Sequence, residues 1–174
     1  SLCNYTNAKY TGTKKESILS SKGPYMLPGL KHINTLGKHT WEDLYSYQSI
    51  VHIPYNVSIM SIFEQYTANV PLLFPSQKYA PQIPGFLCEM FFAPNILTDS
   101  RLKEILTVET LALSDFYNED WMPHILHYDS IEHLEELLTT TDFSAVSESM
   151  REFNKTRKDK IYQLWKEVLH GRTD

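Results

Sequence analysis

A continuous run of β-branched residues followed at once by a helical pattern constrains the fold more than any other feature of the sequence. Ser49-Ile50-Val51-His52-Ile53 lacks polar alternation and stops at Pro54, which is typical of a strand buried on both faces. Ser58 then stands where a helix N-cap is expected, and Asn69 where the helix is expected to end in a left-handed conformation. The apolar positions between them have the spacing of one helix face: Ile59, Ile62, Phe63 and Tyr66.

The same alternation of strand and helix continues over the rest of the chain. Further strands are predicted at residues 18–19, 70–74 and 124–128. Further helices are predicted at 41–45 with Thr40 as N-cap, at 99–108, at 131–138 behind an Asp129/Glu132 capping box, and from Phe143 almost to Gly171. The proline-rich residues 75–98 are interpreted as a surface excursion. The sequence therefore predicts an α/β fold whose parallel sheet is covered by helices on both faces.

The last helix is predicted to bury one apolar stripe along its length. Its members are Val146, Met150, Phe153, Ile161, Leu164, Trp165 and Val168. The intervening stretch NKTRKDK has no apolar member, so a break or an exposed section is predicted there. We interpret the charges from Lys155 to Lys160 as a solvated face.

Composition narrows the class of protein. A chain of 174 residues with 42% hydrophobic residues fits one domain with a real core, and excludes disorder. A net charge of −5 without a basic stripe argues against nucleic acid as a partner, and no apolar run approaches the ~20 residues of a membrane span. Cys3 and Cys88 cannot form a disulfide scaffold, which indicates a reducing compartment and predicts a cytoplasmic location. Residues 1–16 are predicted to be a lead-in from a missing upstream region, and 17–174 one domain.

A constellation around Glu64 suggests a nucleotide site at the end of the central strand. Ser58 and Ser61 fall in the first turn of the predicted helix, where free N–H groups and the helix dipole favour a phosphate. Glu64 follows one turn later, and its carboxylate can accept hydrogen bonds from both hydroxyls of a ribose. The alternative, that Glu64 is a solvated helix residue and Ser58 only a cap, stays open on spacing alone.

The segment from Ile33 to Phe74 resembles the core of the C-terminal half of a GT-B-type glycosyltransferase. It is also similar to uncharacterised sugar transferases of algae and large DNA viruses. The matching positions follow the family's order without gaps: Gly37, Leu44, Tyr45, Ile50 to Pro54, Asn56, Glu64, Asn69 and Pro71. The resemblance implies a Rossmann-like, nucleotide-sugar-binding domain. It covers about a quarter of the chain well, and the rest only by the order of elements.

The resemblance assigns a role to each matching position. Glu64 matches the acidic residue that binds the ribose hydroxyls, whereas Asn56 replaces the acidic residue near the transferred sugar, which leaves the sugar contact without a charge. The other implied donor contacts are the backbone amides of Val57, Ser58 and Ile59 at the diphosphate, a cation at Lys22, and the loop Gly37, Lys38 and His39 at the nucleobase. Tyr55 beside this site is interpreted either as a stacking partner for a sugar or base, or as a packing residue.

The function expected from this resemblance is donor binding for transfer of a sugar to a carbohydrate or other hydroxyl acceptor. No Asp-x-Asp occurs, so transfer without a metal or other cofactor is expected, and His124 and His127, in one strand, are predicted to point to opposite faces. The acceptor and the catalytic base are expected to belong to an N-terminal domain. The alternatives are a non-catalytic α/β module that docks a partner through residues 75–98, and a nucleotide-dependent epimerase or phosphorylase.

Overall fold

The part of the chain that the computed structural model describes comprises residues 8–21, 27, 29–56, 59–83 and 111–170. Within it, five strands form one parallel sheet in the order β2-β1-β3-β4-β5. The strands are β1 (Lys14–Ser20), β2 (Lys31–His32), β3 (Tyr47–His52), β4 (Leu72–Pro75) and β5 (Leu126–Tyr128). The helices are α1 (Trp41–Leu44), α2 (Met60–Thr67), α3 (Ile131–Thr140) and α4 (Phe143–His170). Short 3₁₀ helices occur at Ile33–Leu36, Ala80–Gln82 and Asp115–Tyr117.

The central strands are apolar on both faces, which explains why their sequences show no alternation. Successive strand residues point to opposite faces, so Ile50 packs on one side of the sheet and Val51 on the other. Each side then forms its own buried cluster. Helices α1 and α2 pack with Ile50 and α3 packs with Val51. The predicted α/β fold with a parallel sheet flanked by helices is confirmed.

The strand order places a topological switch point between β1 and β3. The chain leaves β1 towards β2 on one side, and returns to β3 on the other side of β1 before continuing to β4 and β5. In doubly wound sheets of this order, ligands bind in the crevice outside the carboxyl ends of the two strands at the switch point. The fold therefore predicts a ligand site at the segments that follow Ser20 and His52.

Three predicted helix starts can be compared with the structure. Thr40 caps α1 in a capping box with Asp43, as predicted. The N-cap of α2 is Ile59 rather than Ser58, and no side chain caps it. The N-cap of α3 is Ser130, whose hydroxyl accepts a hydrogen bond from the N–H of His133, so the predicted Asp129 cap is one residue early.

The boundaries of several elements also differ from the predicted ones. Sheet pairing begins at Lys14 and Ala8 is buried, so the predicted lead-in reaches into the fold. His124 has a positive φ of 68° and precedes β5, so it does not share a strand with His127 as predicted. Ala80 and Ile83 are buried, so this part of the predicted surface excursion belongs to the core. Residues 84–110, with the predicted helix at 99–108, lie outside the described residues.

Helix α4 is continuous from Phe143 to His170. Its first half buries Met150 and half-buries Val146 and Phe153, as predicted. The stretch 154–160 does not break the helix. The predicted stripe fails further on, because Ile161, Leu164, Trp165 and Val168 are exposed. Within the described residues, no helix has the length and apolar character needed to cross a membrane.

Asn69 fixes the junction between α2, β4 and α4, and it adopts the predicted left-handed conformation, with φ 64°. Its carbonyl accepts a hydrogen bond from Ser147 Oγ at 2.7 Å, and its Oδ1 accepts one from Asn154 Nδ2 at 2.8 Å. Asn154 Nδ2 also donates to the carbonyl of Tyr66 at 2.9 Å. One residue therefore ends α2 and attaches α4 to the domain.

We expect Asn69→Ala to lower the free energy of unfolding by about 2 kcal/mol, because alanine is strained at positive φ and cannot accept the hydrogen bond from Asn154. Asn69→Gly avoids the strain but still loses the hydrogen bond from Asn154, so it should lower the free energy of unfolding by about 1 kcal/mol. Urea denaturation of the two variants separates the contributions. Equal losses in the two variants would contradict a strained backbone at this position.

Candidate functional site

A cavity of about 390 Å³ lies at the switch point of the sheet. It opens between the carboxyl end of β1, helix α1 and helix α2. The residues that line it are Ser20, Ile33, His39, Thr40, Trp41, Glu42, Leu44, Ser61 and Gln65. Its volume is within the usual range for a small-molecule site. The cavity therefore occupies the place where a parallel sheet of this order binds its ligands.

Helix α2 contributes two polar side chains to the cavity, one turn apart. Ser61 lies in the first turn, as predicted, and Gln65 follows at i+4 on the same face. Glu64 is half-buried and is not among the residues that line the cavity. Since Ser61 and Glu64 stand at i and i+3, they are neighbours on the helix surface. The contact predicted between Glu64 and a ribose stays a prediction.

Gln65 is held in place by a buried histidine at the end of β3. His52 Nε2 donates to Gln65 Oε1 at 2.7 Å, and the His52 ring stacks on Phe74 with 4.9 Å between ring centroids. Burial lowers the pKa of His52 to about 4, so the ring is neutral at pH 7. Gln65 is only 2% exposed, and its Nε2 has no hydrogen-bond partner in the described part of the chain. The site therefore offers a preorganised amide donor.

The start of α2 supplies a second kind of donor. No side chain caps the helix at Ile59, and the N–H of Ile62 donates to the Ile59 carbonyl at 3.0 Å. Within the described residues, the N–H groups of Met60 and Ser61 are therefore the ones left for a ligand, next to the Ser61 hydroxyl. The positive end of the helix dipole favours an anion at this position. The side chain of Ile59 is buried in the core, so at the start of the helix Ile59 can contribute only backbone groups. Val57 and Ser58, the other two predicted diphosphate contacts, lie outside the described residues.

The loop before α1 forms the opposite wall. Gly37 has φ 63°, a conformation that favours glycine, and its carbonyl accepts a hydrogen bond from His39 Nδ1 at 2.9 Å. The backbone N–H and hydroxyl of Thr40 hold the pKa of Asp43 below its usual range. This capping box fixes the start of α1, which brings Trp41 to the cavity.

The remaining predicted contacts fall at several places around the cavity. Gly37 and Lys38 are exposed and adjoin His39, which lines the cavity. Tyr55 packs partly buried against the core, in agreement with one of its two interpretations, and Asn56 follows it half-buried. Lys22 lies outside the described residues. The structure therefore brings Ser61 and the loop after Gly37 to one cavity.

The cavity combines donors from α2 with an aromatic ring, Trp41, and a carboxylate, Glu42, from α1. No protein-family model, curated protein or solved structure matches this chain. Function therefore has to be inferred from the chemistry of this cavity and from the resemblance carried by residues 33–74. Across the described residues there is no cluster of three or more His, Cys, Asp or Glu that could hold a metal ion.

Sequence reasoning missed five polar or aromatic residues of the cavity, although it assigned one of them, Thr40, as a helix cap. Gln65 was detectable, because it stands four residues after Ser61 and shares its helix face. Ser20 was not detectable, because only the strand order places it beside the switch point. Trp41 and Glu42 had no such signal, because their position depends on how α1 packs beside β1.

Proposed function

We propose that this chain is the donor-binding domain of a GT-B-type glycosyltransferase, in which the cavity between β1, α1 and α2 holds a nucleoside-diphosphate sugar. The single observation that carries the proposal is this cavity at the switch point of a parallel sheet, with an uncapped helix start and a buried amide donor in its wall. The resemblance of residues 33–74 to the family supports the same reading.

The diphosphate is proposed to bind at the start of α2. Phosphoryl oxygens accept hydrogen bonds from backbone N–H groups and from hydroxyls such as that of Ser61. Gln65 Nε2 adds a donor deeper in the cavity, held by His52. These donors supply the stabilisation of negative charge that a leaving nucleoside diphosphate needs, so the proposal includes no metal.

The nucleoside is proposed to lie between Glu64 and the loop that follows β2. Glu64 accepts hydrogen bonds from the ribose hydroxyls, and residues 37–39 approach the base. Trp41 offers an apolar surface of the size of a nucleobase. The proposal assigns to Asn56, four residues after the last residue of β3, the position at which the family has an acid near the sugar, so an uncharged amide takes that position.

Transfer requires a partner for this domain. The acceptor hydroxyl attacks the anomeric carbon as the bond to the phosphate oxygen breaks, and a base removes the hydroxyl proton. Within the described residues His52 is buried and neutral and bonded to Gln65, so it does not serve as that base. We propose that a second, acceptor-binding domain supplies the base and the carbohydrate acceptor.

Isothermal titration calorimetry with UDP, GDP, ADP and CMP tests the proposal. We expect saturable binding of at least one nucleotide, weakened about tenfold in Glu64→Gln because a hydrogen bond to a charged group is worth ~1.5 kcal/mol or more. Glu136→Gln, an exposed change on α3, is the matched control and should bind as the wild type does. No heat with any of the four nucleotides overturns the proposal and favours the non-catalytic module.

A further inference from the structure

The second half of α4 projects from the domain. Among the described residues, the last hydrogen bond from α4 to the rest of the domain is at Arg157, whose Nη1 donates to the carbonyl of Trp121 at 2.8 Å. Residues 158–169 are exposed without exception, although they remain helical. At 1.5 Å per residue this section is about 18 Å long. A helix of this length is marginal in water on its own, so the section is suited to a surface that stabilises it.

This projecting section is strongly amphipathic. Its large hydrophobic residues recur at helical spacing and are between 40% and 73% exposed: Ile161, Tyr162, Leu164, Trp165, Val168 and Leu169. At 3.6 residues per turn they cover about half of the helix circumference. That face is broader than the narrow seam that pairs two helices in a coiled coil. A broad apolar face fits a flat, extended apolar surface.

Cations border the apolar face on both sides. Lys160 lies at one edge and Lys166 at the other, while Lys158 precedes the face by one turn. The Nζ of Lys166 lies 4.6 Å from the centroid of the Tyr162 ring, so its aliphatic stem covers part of the apolar face. Residues 155–170 contain five cations and two anions, a net charge of +3, whereas the whole chain carries −5. Residues 158–169 alone contain three cations and two anions, a net charge of +1, so the positive charge is concentrated at and just before the start of the exposed apolar face.

We propose that residues 158–169 of α4 bind the surface of an anionic lipid bilayer, lying in the plane of the interface. The apolar face enters the boundary between headgroups and acyl chains, Trp165 and Tyr162 sit at headgroup level, and the bordering lysines contact lipid phosphates and carboxylates. Because the rest of the chain is negative, an anionic surface attracts only this section and so orients the domain.

Charge favours a bilayer over a second copy of this chain. Pairing two copies would bring together two stretches, residues 155–170 of each copy, that each carry +3, and a two-helix seam would leave Tyr162 and Leu169 in water. An anionic bilayer complements the charge and accommodates the full width of the face. This inference is independent of the proposed nucleotide site, since the two lie on different elements.

Co-sedimentation of the full chain with vesicles tests the proposal. We expect binding to vesicles of phosphatidylcholine mixed with phosphatidylserine, little binding to phosphatidylcholine alone, and loss at high salt. Replacing Lys158, Lys160 and Lys166 by Glu should lower partitioning about a hundredfold. The control replaces Lys9, Lys15 and Lys78 by Glu, which changes the net charge equally at exposed sites outside α4 and should cost far less.

The fluorescence of Trp165 reports where the helix lies. Binding should shift emission to the blue, and the shift should be lost in Trp165→Phe while Trp41 and Trp121 remain. Three results would overturn the proposal: no sedimentation with anionic vesicles, equal losses in the two lysine variants, or a stable dimer in light scattering that shields Trp165 and does not bind vesicles.

Discussion

Met150→Ala is expected to lower the free energy of unfolding by about 3 kcal/mol, and Leu164→Ala, in the same helix, to change it by less than about 0.5 kcal/mol. Met150 is fully buried in the cluster on the α1/α2 side of the sheet, so truncation leaves a cavity. Leu164 is 50% exposed on the projecting section, where alanine removes no core contact and has the higher helix propensity. Urea denaturation at pH 7, in the absence of lipid, measures both changes.

The comparison is informative because the two residues belong to one apolar stripe in the sequence. The denaturation midpoint should fall for Met150→Ala without a change in the m value, which would mean that only stability has changed. Circular dichroism should show equal helix content in the two folded variants. A loss of several kcal/mol in Leu164→Ala would contradict the structure, because it would require the projecting section to pack in solution.

The failure of the predicted stripe has a physical cause. Periodicity shows that a helix has an apolar face, and it does not show which part of that face meets the rest of the domain. The contacts of Ser147 and Asn154 with the end of α2 set how α4 crosses the sheet, and these join residues 78 to 88 positions apart. Past Arg157, residues 158–169 of the helix are exposed.

Four of the five described strands were predicted, because their signal is local, and β2, which has only two residues, was missed. A run such as Ser49 to Ile53 lacks alternation with exposed polar residues only when both faces of a strand are covered, and parallel sheets with helices on both sides meet that condition. Helix starts were less certain, because neighbouring residues compete for the cap. Asp129 and Ser130 are both good N-caps, and the hydroxyl of Ser130 takes the position.

The site was only partly predictable, for a different reason. The sequence located the carboxyl edge of the sheet and found Ser61, because a strand end that runs into a helix start is a local pattern. The cavity wall also needs the strand order, which sets β1 beside β3 and so brings Ser20 and Trp41 near α2. The pairing of His52 with Gln65 depends on side-chain direction, which spacing does not give.

The second large effect is expected from pH and concerns His52. Its pKa is lowered to about 4 by burial, against an ordinary value of 6.5, and it donates from Nε2 to Gln65. Between these values the unfolded chain binds a proton that the folded chain does not, so stability rises with pH over this window. The contribution is fully present above about pH 6.5, and about 3 kcal/mol of it is lost as the pH falls to about 4.

The variant His52→Gln isolates this contribution, because a glutamine amide can still donate to Gln65 and does not titrate. Burial also lowers the pKa of His127, and that group is present in both proteins, so its share cancels in the difference. Urea denaturation at intervals from pH 4 to pH 8 should therefore give two curves of unfolding free energy against pH that run parallel above pH 6.5 and converge below it.

The wild type should lose stability relative to His52→Gln as His52 takes up a proton. An imidazolium in this pocket faces Phe74 and a single amide oxygen, with no carboxylate among its hydrogen-bond partners. Curves that stay parallel down to pH 4 would mean that His52 is protonated equally in the folded and unfolded chains, and Gln65 would then not be held by a neutral ring.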